Sequence, residues 1–233
     1  MKEKIEYKII EFERLDSTNE YAKTQRALGE NLMVVAKEQS GGRGTKGRSF
    51  VSARGGVYIS RLTFYEHYPA KDAFLLMSNA AVAVCETLKE YGLSPKIKWP
   101  NDVHVHGKKI CGILIENSFV GTDIRSSIVG IGLNVCNPLP EELQEIATSI
   151  SAWVTPVPSA EDVCQTLIDK LSNAYGAEKY FSYLGYMGER ADIFHNGEKI
   201  SARLLRVDKD GGLVVQTEDG ERKFSAAEIS LRV

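Results

Sequence analysis

The chain lacks any run of 18 or more apolar residues, which excludes a membrane-spanning helix. Its opening stretch, MKEKIEYKIIEFERLD, mixes charged with apolar side chains and has no apolar core of a secretory signal. Cysteine is scarce: Cys85, Cys111, Cys136 and Cys164 lie far apart, with no C-x-x-C pair. That spacing argues against a disulfide framework or structural zinc and leaves buried free thiols as the expectation. Excess positive charge is also missing. The net charge is −2, so no global field draws the protein to nucleic acid or to an anionic membrane. The expected compartment is the cytoplasm.

What is present is an ordinary globular composition over 233 residues, long enough for one large domain or a medium one plus a small one. Tyr7–Phe12, Leu32–Lys37 and Gly56–Phe64 read as strands. Asp16 to Asn19 opens a helix that runs to about Leu28 and stops at Gly29. Between Asp72 and Tyr91, Phe74, Met77, Ala81, Val84, Leu88 and Tyr91 recur at helical spacing. Lys96–Trp99, Val103–Val105, Ile110–Glu116 and Ile124–Val135 read as further strands, with His106-Gly107-Lys108 as a hairpin turn. A second long helix is expected from Ser159 to about Phe181, with Ser159 and Asp162 as its capping pair. From about Ala191 short strands alternate with turns at Lys199–Val207, Leu213–Thr217, Glu221–Phe224 and Ile229–Val233. That texture points to a small β-barrel appended to an α+β core.

The most unusual segment is Gly41-Gly42-Arg43-Gly44-Thr45-Lys46-Gly47-Arg48-Ser49. It nearly spells a dinucleotide fingerprint and nearly spells a P-loop. Both motifs need a helix directly after the glycines, because its N-terminus holds the phosphate. The following SFVSARGGVYISRLTF is β-branched and aromatic instead. From Gln39 to Tyr65 there are five cationic residues and no acidic one. Glycines permit close backbone approach and arginines bind phosphate or carboxylate in pairs. A solvated surface loop is the competing reading of the loop alone.

Lys98-Trp99-Pro100-Asn101-Asp102 forms a rigid corner, because proline fixes its own φ and restricts the residue before it. Lys109 begins the next strand with Gly112 leaving space beside it. Ser17-Thr18-Asn19-Glu20 fits a capping box. It equally offers small donors and acceptors for an uncharged polar group such as a ureido ring. His104 and His106, two apart on one strand with Cys111 near, form a weak metal pattern; exposed hairpin histidines are the plainer reading.

Taken in order, D16-S-T-N19, the Q39-to-F50 loop, K98-W-P-N-D102, K108-K-I-C-G-I-L-I-E116, G130-I-G-L-N-V135 and E228-I-S-L-R232 resemble the biotin–protein ligases. The resemblance implies an α+β fold: a class II aminoacyl-tRNA synthetase-like mixed sheet with flanking helices over residues 1–187. A small SH3-like β-barrel would follow over 188–233. It implies activation of biotin with ATP to biotinyl-5′-AMP, then transfer to one lysine of a biotin carboxyl carrier domain. Biotin contacts would come from Ser17, Thr18, Asn19, Gln39, Gly42, Arg43, Gly44, Thr45, Lys109 and Gly112. ATP and adenylate contacts would come from Arg43, Arg48, Phe50, Asn101, Lys109, Asn134 and Arg232. Lys109 and Arg43 would be the catalytic pair. Mg2+ would ride on ATP oxygens without a protein ligand set.

The family implies monomers or homodimers. With the catalytic pattern starting by Asp16, no DNA-binding segment is expected and nucleic acid is not an expected partner. Thr45 stands where many family members have arginine, and Phe50 where tryptophan is common. Two other readings stay open: a lipoate or octanoate–protein ligase of the same superfamily, and a non-catalytic biotin or nucleotide sensor.

Overall fold

The computed structural model describes residues 5–232. Two sheets organise the chain. The first contains β1 (Lys8–Phe12), β2 (Leu32–Ala36), β3 (Val57–Phe64), β4 (Lys96–Lys98), β5 (Asp102–Val105), β6 (Lys108–Val120) and β7 (Asp123–Leu133). Its spatial order is β1-β2-β3-β7-β6-β5-β4. Strands β1 and β2 pair in parallel and the remaining pairs are antiparallel, so the sheet is mixed. The central strands β3 and β7 are almost wholly buried, which their apolar content requires.

One face carries α2 (Ala73–Glu90), α3 (Ala160–Leu171) and α4 (Ala177–Tyr183); α1 (Thr18–Thr24) lies against β2, β3 and β7. Six consecutive residues of α2, Ala80 to Cys85, are buried. A helix that is apolar all round must be covered all round, and the sheet, α3 and α4 do this.

The second sheet contains β8 (Arg190–His195), β9 (Glu198–Val207), β10 (Leu213–Thr217), β11 (Gly220–Phe224) and β12 (Ile229–Arg232). It is antiparallel with order β11-β10-β9-β8-β12 and wraps its own apolar core of Ile193, Leu204, Leu213 and Val215. One core member is foreign: Trp99, from the corner between β4 and β5, is 2% exposed inside this cluster. Its indole N–H donates to the Gly211 carbonyl at 2.9 Å. The two sheets are thereby keyed together at the very corner that carries Lys98 and Asp102.

Four local expectations need correction. The helix from Asp16 tightens into a 3-10 turn over Gln25–Leu28, although Gly29 does stop it with φ 70°. The helix expected over Ser159–Phe181 is broken in two. Arg61 of β3 donates to the Leu171 carbonyl at 2.7 Å, and Asn79 of α2 accepts from the Tyr175 N–H at 2.8 Å. Those side chains satisfy backbone groups that a continuous helix would satisfy itself. Strand β8 is not among the expected strands, because its apolar pattern is only Ala191 and Ile193 facing in. His106 is no strand residue: with φ 50°, and Gly107 at φ 79°, it makes a two-residue primed turn. The last residue of the expected Ile229–Val233 strand, Val233, lies outside the described residues. Among the described residues no helix is long and apolar enough to cross a membrane.

Candidate functional site

The glycine segment folds as a small hairpin. The Phe50 N–H donates to the Gly42 carbonyl at 2.9 Å, and the Gly44 N–H to the Arg48 carbonyl at 2.7 Å. Its tip is a 3-10 turn over Thr45–Gly47, with Lys46 in the left-handed region at φ 58°. Gly42 is obligatory: a Cβ there would lie 2.4 Å from the Phe50 carbonyl oxygen. The chain then passes through Ser52 into β3, with no helix behind the loop. The dinucleotide and P-loop readings therefore fail.

At the root of the loop lies a buried polar cluster. Ser17 caps α1, accepting from the Glu20 N–H at 3.4 Å. Thr18 gives both its N–H and its hydroxyl to Gln39 Oε1, at 2.8 and 3.1 Å. Ser60 Oγ, on β3, reaches Thr18 Oγ1 at 2.7 Å and Asn19 Oδ1 at 2.5 Å. Asn19 Nδ2 donates to Glu116 at 2.9 Å. Glu116 pairs with Lys23 at 2.7 Å, Lys23 with Glu20 at 2.6 Å, and Glu20 with Arg43 at 2.9 Å. The Lys23 hydrogen bond holds Glu20 below the usual carboxylate range, with Arg43 adding to it. A continuous polar chain thus runs from the base of the cluster to the loop arginine.

The adjoining sheet surface is bare where Gly112 of β6 and Gly132 of β7 stand opposite each other. The Phe50 ring covers that patch, within 3.3 Å of a Cβ built at Gly112 and 2.6 Å of one at Gly132. Lys109 arches over Gly112, with Nζ 5.9 Å from the Phe50 ring centre and 2.7 Å from Asp102. Lys98 faces the same Asp102. Burial pushes the Lys98 ammonium below the ordinary lysine range; Lys109, Arg48 and Arg232 push it the same way, and Asp102 opposes. Lys98 and Lys109 therefore both face the Asp102 carboxylate, and Arg48 and Arg232 add positive charge near Lys98. Beside them opens a cavity of about 710 Å³ between the two sheets, lined by Arg48, Lys98 and Asp102 on one side and Glu228–Leu231 on the other. Such a site has cationic surplus and apolar walls, the requirements of a nucleotide with its phosphates.

The expected residues fall into groups. Thr45, Arg48 and Asn101 line the large cavity. Gln39, Gly42 and Phe50 line a neighbouring groove of about 380 Å³. Ser17, Thr18 and Asn19 are buried in the polar cluster. Gly44 shapes the loop hairpin, and Arg43 lies 2.9 Å from Glu20. Asn134 is 4% exposed, bonding the Thr148 carbonyl and Asn137. Arg232 stacks over Phe194 at 4.8 Å.

The sequence singles out the corner that carries Lys98 and Asp102, yet neither they nor Glu116 is among the expected ligand contacts. The first two flank the proline corner, and that flanking position is the available signal. Glu116 carries none, since its partners are remote in sequence. His104 is buried, not exposed, and bonds Tyr186 Oη at 2.8 Å, while His106 stacks on Trp153 at 4.1 Å. Their partners differ, so they do not act as a pair. Among the described residues no group of three or more His, Cys, Asp or Glu is placed to hold a metal ion.

Residues 11–134 match the family model described as the biotin/lipoate A/B protein ligase family, and residues 194–232 the model of the biotin protein ligase C terminal domain. A biotin–[acetyl-CoA-carboxylase] ligase of Paracoccus denitrificans is 38% identical over 243 residues, covering 93% of this chain and 97% of the relative. The bifunctional ligase/repressor BirA of Bacillus subtilis is 33% identical, covering 87% of this chain; the chain spans 66% of that relative's length. A solved structure of the biotin protein ligase from Aquifex aeolicus in complex with biotin and ATP matches with a TM-score of 0.74 at 28% identity, covering 96% of this chain and 98% of that one.

Proposed function

This chain belongs to the biotin/lipoate A/B protein ligase family, and from that membership we propose that it joins biotin to a carrier-domain lysine by way of biotinyl-5′-AMP. The observation that carries the proposal is the Lys109–Asp102 pair over the bare Gly112 and Gly132 floor, beside the cavity that Arg48, Lys98 and Asp102 line.

In the first step a biotin carboxylate oxygen attacks the α-phosphorus of ATP. A P–O bond forms and pyrophosphate leaves. Carboxylate and phosphate repel, so both must be neutralised while held in line. Lys109 lies between the glycine floor and Asp102 and serves both anions. Lys98 and Arg48 serve the phosphates from the cavity wall. No enzyme nucleophile is needed. Thr18 and Asn19, both buried, and the half-buried Gln39 offer donors and acceptors that suit the ureido ring. Gly112 meets biotin once the Phe50 ring yields the floor to it. Arg43 and Arg232 reach the ligand by leaving Glu20 and Phe194. In the second step the carrier lysine's amine attacks the acyl carbonyl, an amide forms and AMP leaves.

Mg2+, if bound, would be held by the ATP phosphates and not by a set of protein ligands, and would supply further charge neutralisation. The division into a catalytic part, 1–187, and a C-terminal part, 188–233, belongs to the same proposal; β8 starting at Arg190 supports it. Biotin is favoured over lipoate because the C-terminal match is to a biotin protein ligase domain. The test is incubation with biotin, ATP, Mg2+ and a biotin carboxyl carrier domain, with lipoate and octanoate as controls. The expected result is a biotin-sized mass increase on the carrier alone; an increase only with lipoate or octanoate overturns the reading.

A further inference from the structure

The tip of the glycine loop reaches the second sheet. Lys46 Nζ donates to the Ile229 carbonyl at 2.6 Å and to Ser230 Oγ at 3.3 Å. These partners lie at the start of β12, 183 and 184 positions away in sequence. A main-chain carbonyl, not a carboxylate, receives this ammonium. Such a charge-assisted bond is shorter and stronger than one between neutral groups. The tip is shaped for it: Lys46 takes the left-handed backbone at φ 58°, a conformation that costs free energy for a residue with a Cβ. Thr45, Lys46 and Arg48 on one side, and Glu228 to Leu231 on the other, line the same cavity. Arg48 turns back on its own loop instead, bonding the carbonyl and hydroxyl of Thr45 at 3.2 and 2.9 Å. Lys46 is therefore the loop's link to the second sheet.

Resting on the ligase reading above, we infer that Lys46 is a positioning residue whose bond to β12 fastens the loop across the cavity and keeps the activated acyl-adenylate from leaving. The role is separate from phosphate neutralisation, because the ammonium is spent on a protein carbonyl. The second sheet then supplies the fixed side of the fastening, held in register by Trp99 in its core. An acyl-adenylate that escapes is hydrolysed in water, so retention decides yield.

The test uses the full chain. Biotin-dependent ATP–pyrophosphate exchange is measured first; if the native protein shows none, the ligase reading itself fails and not the fastening. Labelled adenylate is then formed without acceptor, and its release is followed after rapid gel filtration for the native protein, Lys46→Met and Lys46→Arg. Methionine keeps an unbranched apolar stem and removes the donor; arginine restores a donor. Release from Lys46→Met is expected to rise about tenfold, which corresponds to about 1.4 kcal/mol. Lys46→Arg is expected to restore at least half of the lost retention. Thermal unfolding of all three proteins identifies a variant that fails to fold, in which case Ser230→Pro, which disturbs the acceptor segment, takes its place. Release within twofold of native in Lys46→Met, or an arginine variant no better than methionine, overturns the inference.

Discussion

Gly130 exists to make room for Asn19, and substituting it should damage the polar cluster in a measurable way. A Cβ on Gly130 would lie 2.0 Å from Asn19 Oδ1, 2.8 Å from Cγ and 3.0 Å from Nδ2. All three outer atoms of the amide are in the way, so no small rotation relieves the clash. Comfortable non-bonded separation is about 3.5 Å, so the amide must retreat by more than roughly 1 Å. It is held on both sides, by Ser60 Oγ at 2.5 Å and Glu116 at 2.9 Å, and neither bond survives that displacement. Losing one neutral and one charge-assisted hydrogen bond at a site 4% exposed costs about 3 kcal/mol. Alanine returns up to about 1 kcal/mol over glycine within a strand. The expected net loss for Gly130→Ala is therefore about 2 kcal/mol. Urea unfolding followed by circular dichroism should show a lower midpoint with an unchanged slope, and biotin affinity should fall with it. Adding Asn19→Ala removes the obstructing amide, so the double variant should lose less than the two single losses combined. A single loss under about 0.5 kcal/mol, or strict additivity, would refute the reasoning.

Further outcomes follow from other positions. Gly176, at φ −74° and ψ 155°, caps α4 without a side chain and has open space around it, so Gly176→Ser should raise stability by about 0.5 kcal/mol in the same urea assay. Burial, and next the charge of Lys98, push His104 down to about 4. The unfolded chain then binds the proton more tightly, so the stability His104 contributes is intact above its unfolded pKa near 6.5 and is lost as pH falls towards 4. Between pH 7 and pH 5 the native protein should lose about 2 kcal/mol more than His104→Gln; equal losses would show that His104 is protonated in the fold. Thr45 presents only a hydroxyl, which Arg48 occupies at 2.9 Å. Thr45→Arg should slow release of biotinyl-AMP about tenfold by adding a phosphate donor, and an unchanged rate would remove Thr45 from the retention argument.

The elements legible in the sequence are those whose signals are local. Helix α2 announces itself by apolar spacing, and the turn at His106-Gly107 by its glycine between strands. The loop's failure as a P-loop is visible from the strand-like residues after it. What stays hidden depends on partners far away in the chain. The break after Leu171 is made by Arg61 and Asn79, so no window around Leu171 contains its cause. The pentapeptide at Lys98 is recognisably special, yet its tryptophan looks like part of a turn. Only the fold shows it seated in the core of the second sheet, turning a local corner into the joint between sheets. Glu116 and Asn19 meet across 97 positions, and each alone is an ordinary polar residue.

Those remote contacts bear on how the loop exchanges partners. Arg43 lies against Glu20 with its side chain 53% exposed, and exposed ion pairs contribute only about 0–1 kcal/mol. Leaving Glu20 is therefore cheap. Lys23 makes it cheaper still, because it stays 2.6 Å from Glu20 after the arginine has gone. The carboxylate is never left unpaired, and the arginine is never held by more than a weak contact. An anionic ligand beside the loop thus competes for Arg43 against almost nothing. The Lys46 bond at the other end is different in kind, since its acceptor is a fixed main-chain carbonyl that, among the described residues, receives no other side-chain cation. One end of the loop is held weakly and the other firmly, the asymmetry that the proposed cover, which must admit, retain and then present an intermediate, requires.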